Sequence, residues 1–134
     1  MNDCVFCKII KGEIPSTGIY EDEVVKVFLN INPASRGHLL VIPKEHFENV
    51  LDCPDEILSH IIKISKKIAK LAKEKLGADA INIANNSGKE AGQEVFHLHF
   101  HVVPRYRGDG MKLDFIGKKY LEDDLGEIKK IIIS

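Results

Sequence analysis

Three of the chain's six histidines fall close together, at His97, His99 and His101. They alternate with Phe96, Leu98, Phe100 and Val102 in a run over 95–103 that Pro104 closes. In a strand, successive side chains point to opposite faces, so the three imidazoles share one face and the apolar set the other. Same-face neighbours then stand about 6.5–7 Å apart. The apolar set is expected to pack beneath a helix and leave the imidazoles on the opposite surface, in a register that a one-residue slip would invert. A lone strand histidine ordinarily only faces water. Three in strict alternation beside a polar loop suit two chemistries: histidines two apart on a strand can hold a metal ion, and a neutral imidazole can attack phosphorus while its neighbours hold the phosphoryl group.

The preceding run, Asn85-Asn86-Ser87-Gly88-Lys89-Glu90-Ala91-Gly92-Gln93, favours phosphate. Its side-chain amides and glycine-freed backbone N–H groups are donors suited to phosphate oxygens. Neither a P-loop nor a Gly-x-Gly-x-x-Gly dinucleotide fingerprint is present. A second constellation is the Cys4-x-x-Cys7 pair, with Cys53 apart from it before Pro54. A redox pair of the thioredoxin kind would follow a strand, and none precedes Cys4. Metal binding is the better reading, given two further ligands.

The elements that must position these groups are legible in the pattern. Cys4–Lys11 reads as a short helix ended by Gly12 and Pro15, and 19–21 and 24–29 as strands about an acidic turn. A loop over 30–37 leads to a buried strand at 38–42, ended by Pro43. Asp52 is expected to open a long helix whose apolar face is Ile57, Leu58, Ile61, Ile64, Ile68, Leu71, Ala72 and Leu76, with Gly77 as its C-cap. Lys63, Lys66, Lys67, Lys70 and Lys73 form its solvated face. A strand at 80–84, the polar loop, and the histidine strand follow. Asp124 to Glu127 has the form of a capping box that starts a short terminal helix. The fold class is α+β: a mainly antiparallel sheet of about five strands, one long helix packed on it, and short N- and C-terminal helices.

Length and charge set the bounds. The 134 residues are read as one domain, 1–134, large enough to bury roughly two-thirds of the unfolded surface. A net charge of -1 gives no electrostatic case for nucleic acid or an anionic membrane as partner. No apolar run approaches membrane-spanning length, the first residues lack a signal peptide's apolar stretch, and the odd count of three cysteines fits a reducing compartment. A cytoplasmic location is expected.

The pattern His-φ-His-φ-His-φ-φ at 97–103 resembles the histidine triad of the HIT superfamily. Cys7-Lys8-Ile9-Ile10-Lys11-Gly12-Glu13-Ile14-Pro15, Gly37-His38-Leu39-Leu40-Val41-Ile42-Pro43-Lys44 and Ala91-Gly92-Gln93 extend the resemblance to its Hint-like branch, over nearly the whole chain. The resemblance implies a homodimeric, nucleotide-binding hydrolase. It would cleave nucleoside 5'-phosphoramidates or related α-phosphate derivatives of purine nucleoside monophosphates through a covalent nucleotidyl-histidine. It assigns the nucleophile to His99, its orientation to the His97 carbonyl, and the phosphate contacts to His101, Gln93, Asn86 and the backbone near Gly92 and Glu94. Phe6 and Ile9 would meet the base, and Asn30 and Ile31 the ribose. Relatives usually carry aspartate where this chain has Asn30, an uncharged acceptor with less capacity for two hydroxyls. Some carry serine where it has Glu94, whose carboxylate must point away from phosphate if it is not to repel it. In microbial relatives, residues matching Cys4, Cys7, His46 and His97 bind a structural zinc ion; no catalytic metal is implied. The alternatives are a dinucleoside polyphosphate hydrolase or phosphorylase using the same His99, and a zinc-stabilised nucleotide sensor without turnover.

Overall fold

Short alternating apolar segments build one antiparallel sheet in the order β1-β2-β3-β5-β4. The strands are β1 (Gly18–Glu21), β2 (Val25–Leu29), β3 (Leu39–Pro43), β4 (Ala80–Ala84) and β5 (Phe100–Arg105). The computed structural model describes residues 3–112, 115 and 124–134. Period-two alternation sends Val25, Val27, Leu39, Val41 and Val102 to one face, where they meet Ile61, Ile64, Ile68 and Ala72 of the long helix α2 (Asp55–Leu76). It sends Phe28, Leu40 and Ile42 to the other face, where they meet Phe6 and Ile9 of α1 (Val5–Ile10). Central β3 is therefore buried along its whole length.

α2 starts three residues later than its sequence suggests. Asp52 does not open it: its carboxylate accepts from the Glu48 and Asn49 N–H groups at 3.1 and 3.0 Å and closes a separate 3-10 turn over Val50–Asp52. The helix then begins directly after Pro54 and ends at Gly77, whose φ of 68° is the left-handed cap and whose N–H reaches the Lys73 carbonyl. Leu71, expected on the apolar face, is exposed, whereas Ser65 is buried and bonds its hydroxyl back to the Ile61 carbonyl at 2.8 Å. The terminal helix α3 (Leu125–Ile133) forms as expected, with the Asp124 carboxylate accepting from the Gly126 N–H at 2.9 Å. Its apolar residues are exposed.

The histidine run departs most from expectation. β5 begins only at Phe100 and continues through Pro104 to Arg105, rather than covering 95–103. The ladder with β3 ends at the Val41–Phe100 pair, and further along β3 the Pro43 carbonyl accepts from the His97 ring at 2.8 Å. Around His97 the chain is held instead by the Leu98 N–H on the Phe47 carbonyl at 2.7 Å and by the Asn85 amide on the His99 carbonyl at 2.9 Å. Pro104 does not stop the strand, because β3 pairs β5 only over Phe100–Val102 and demands no N–H further along.

Candidate active site and metal centre

The imidazoles do not face open water. His97 is fully buried, His99 is 8% exposed and His101 is half-buried. The sheet face that was expected to be bare is covered by α1, whose Phe6 ring stands edge-on to His97 and His99 with centroids 5.8 and 5.1 Å away. Leu98, Phe100 and Val102 do turn toward α2, while Phe96 is exposed because the chain bends there before the strand starts.

Each ring's proton can be placed from its partners. His99 Nδ1 lies 2.8 Å from the His97 carbonyl and must donate to it, which leaves Nε2 with its lone pair. His38 Nδ1 accepts from the Ala34 N–H at 3.0 Å, so its Nε2–H donates to His101 Nδ1 at 2.9 Å. Neutral His101 therefore carries its hydrogen on Nε2. Burial pushes the pKa of His101 down to about 4, with His99 and His38 adding to the effect, and burial lowers His38 and His99 as well. The set presents the free lone pair of His99 Nε2 beside the fixed Nε2–H of His101.

His99 and His101 line a cavity of about 430 Å³, a size suited to a small organic ligand. Phe6, Ile9, Ile14, Phe28 and Leu40 give it an apolar wall. Asn30, Ile31 and Asn32 come from the loop after β2, and Asn86, Gly92 and Glu94 from the loop before β5. Eight of the residues expected to touch substrate are thus brought around one space with His99. Asn30 Oδ1 accepts from the Asn32 N–H at 2.8 Å, which takes one of that oxygen's two acceptor positions. Gly92 has φ +95°, and a Cβ there would stand 3.4 Å from the Asn86 amide nitrogen.

Gln93 is the exception. It is buried outside the cavity lining, with its amide donating to the Glu48 and Val95 carbonyls at 2.7 and 3.0 Å and its oxygen accepting from the Gly88 N–H at 2.8 Å. Both amide hydrogens are engaged, so it shapes the loop and has no donor left for phosphate. His38 was the residue sequence reasoning missed. Its link to His101 depends on the pairing of Leu40 with His101 across β3 and β5, which no local pattern reveals. The other unassigned histidine, His60, lies elsewhere and bonds the Asp22 carboxylate at 2.7 Å.

Cys4, Cys7, His46 and His97 converge, with their ligand atoms all within 4.8 Å of one another. A tetrahedral ion with two thiolate and two imidazole ligands sets S···N separations of about 3.6 Å and N···N of about 3.3 Å. Cys4 Sγ and Cys7 Sγ lie 3.4 and 3.6 Å from His97 Nδ1, Cys7 Sγ 3.3 Å from His46 Nδ1, and the two Nδ1 atoms 3.1 Å apart. The tautomer fits too: His97 Nε2–H donates to Pro43, so Nδ1 presents its lone pair inward. Burial and the adjacent Cys4 push the Cys7 thiol up, so a cation is what would stabilise its thiolate. The donor set fits a tetrahedral metal ion.

Fold and site together define a small α+β protein with an oriented imidazole at a ligand-sized cavity and an adjoining Cys2His2 cluster. The HIT domain's sequence model matches residues 11–108, and the chain belongs to the HIT family. It is 52% identical over 129 residues to an uncharacterised HIT-like protein of Methanocaldococcus jannaschii, covering 96% of this chain and 98% of that one. It is 40% identical over 132 residues to the adenosine 5'-monophosphoramidase of Saccharomyces cerevisiae, covering 98% of this chain and 81% of the relative. A crystal structure of a zinc-bound histidine triad protein from Mycobacterium smegmatis superposes with a TM-score of 0.80 at 44% identity, over 88% of this chain and 86% of that one.

Proposed function

We propose that this chain hydrolyses nucleoside 5'-phosphoramidates to nucleoside monophosphates through a covalent intermediate on His99. The observation that carries the reading is the His99 Nδ1–H bond to the His97 carbonyl, which fixes Nε2 as the free nucleophilic nitrogen of a ring lining the cavity. Nε2 attacks the α-phosphorus, an N–P bond forms, and the P–N bond to the leaving amine breaks. The amine departs with the bonding pair and takes up a proton from solvent, which the water consumed in the second step restores. Water then attacks the same phosphorus, breaks the bond to His99 and releases the monophosphate. His101 Nε2–H and the Asn86 amide supply donors where charge builds on the phosphate oxygens. Phe6, Ile9, Phe28 and Leu40 take the base, and Asn30 and Ile31 the sugar. The yeast relative's phosphoramidase activity supports this assignment.

Zinc at Cys4, Cys7, His46 and His97 would be structural, since four protein ligands close its coordination. It would tie α1 to the segment that carries His99. The zinc-bound mycobacterial relative supports that choice of metal.

Intact-mass measurement during turnover of an adenosine phosphoramidate tests the proposal. The expected result is a nucleotidyl adduct on the wild type and none on His99→Ala. Product release from His99→Ala at the wild-type rate would overturn it.

A further inference from the structure

The cavity that holds the nucleophile also carries a carboxylate. Glu94 lines it together with His99, His101, Asn86 and Gly92. Its neighbours on both sides are fixed: Gln93 is buried and holds the Glu48 and Val95 carbonyls and the Gly88 N–H, so the backbone bearing Glu94 is anchored on either side of it. No other lining residue among those described is a lysine, an arginine or an acid. His101 beside it is held in neutral form by accepting at Nδ1 from His38. Glu94 is therefore the formal charge of the described lining, and it is exposed enough to meet whatever extends from the phosphorus toward solvent.

A phosphoramidate brings one negative charge on its phosphate. The nucleoside is uncharged, and the apolar wall and the β2 loop can accommodate it without charge compensation. The remaining variable is the charge of the leaving amine. A cationic group on that amine would be attracted by Glu94 and by the phosphate together; an anionic group would be repelled by both, in a rim of intermediate dielectric. We infer that Glu94 selects the leaving group, and that the preferred substrates are nucleoside phosphoramidates of amines carrying a further positive charge. Polyanionic leaving groups, such as a second nucleotide or a polyphosphate, are disfavoured. The inference rests on the proposed phosphoramidate hydrolysis and specifies its substrate class. The bonds made and broken are unchanged: the distal charge is a spectator to P–N cleavage and acts through the field at the site.

The test uses three adenosine 5'-phosphoramidates with the same alkyl spacer, ending in an ammonium, a methyl or a carboxylate group. kcat/KM is measured for the wild type, Glu94→Gln and Glu94→Lys at low and high salt. The wild type should favour the ammonium over the carboxylate substrate by about tenfold, as expected for two opposed interactions of roughly 0.5–1 kcal/mol each with a partly exposed charge. The ratio should shrink as salt shortens the screening length from about 10 Å to about 3 Å. Glu94→Gln should bring it close to one, and Glu94→Lys should invert it. Turnover of all three at equal efficiency, or a preference that survives in Glu94→Gln, overturns this inference while leaving the proposed function standing. Turnover of none of them by the wild type overturns the proposed function and this inference with it.

Discussion

His38→Ala isolates one hydrogen bond whose energetic role can be worked out. In the wild type, the Ala34 N–H fixes the His38 tautomer, and His38 fixes that of His101 through a 2.9 Å bond. Alanine removes the donor and leaves His101 Nδ1 without a partner in a half-buried position. Losing the bond itself costs about 0.5–1.5 kcal/mol, and an unsatisfied buried acceptor costs about 1–3 kcal/mol. Release of the tautomer adds little by population alone, but each molecule in the other form lacks the Nε2–H aimed at phosphate. If the loss is felt mainly in the transition state, kcat/KM for an adenosine phosphoramidate should fall by about 10- to 100-fold, with most of the loss in kcat. His38→Gln, whose amide can donate to Nδ1, should recover part of it. Nitrogen-15 shifts of the His101 ring report the tautomer directly, with assays run well below the unfolding temperature of each variant. An activity within twofold of wild type, with His101 still protonated on Nε2, would refute the relay from Ala34 through His38.

Four other outcomes follow from the same geometry. His46→Ala should abolish stoichiometric metal binding by elemental analysis and lower Tm, while His99→Ala should abolish turnover and keep the metal. Phe6→Ala should cost about 3–5 kcal/mol in chemical denaturation, because a buried ring packed on Phe28, His97 and His99 is replaced by a void. Gly92→Ala should raise KM and destabilise by about 1–3 kcal/mol, since φ +95° is strained for any side chain and the added Cβ abuts Asn86. For pH, the folded pKa of His101 is depressed to about 4 against an ordinary 6.5, so the unfolded chain binds the extra proton first. Stability, by urea titration, should therefore hold above pH 6.5 and decline as pH falls from 6.5 toward 4, whereas initial rates of the folded protein should hold until pH approaches the folded value of about 4.

What the sequence disclosed and what it withheld separate along one physical line. Period-two and helical alternation identified five strands, α1, α2 and α3, because each is a local pattern repeated several times. The Cys4, Cys7, His46 and His97 set and half of the cavity lining came from resemblance, and the structure brings these residues together. Pairing-dependent facts were out of reach. Gln93 looked like a phosphate donor because amides are; only the positions of Glu48, Gly88 and Val95 show its hydrogens already used. Alternation correctly placed Leu98 and Val102 toward α2, yet it could not show that α1 covers the imidazoles, nor that the ladder with β3 stops at Val41 and Phe100 and leaves His97 outside it.

That last detail explains how one residue serves two sites. A histidine within a regular ladder would spend its backbone on strand pairing, whereas His97 lies just before β5 and keeps three separate attachments. Its Nε2–H is held by the Pro43 carbonyl, its Nδ1 faces the two cysteines and His46, and its own carbonyl accepts from His99. The ring and the carbonyl belong to the same residue, so whatever fixes the ring limits the motion of the carbonyl that orients the nucleophile. A ligand set that closes around Nδ1 therefore rigidifies His99 without touching the substrate. The consequence is specific: metal loss should broaden the His99 ring resonances and lower kcat, and it should raise KM as well, because Phe6 and Ile9 of the cavity wall stand on the helix that carries Cys7.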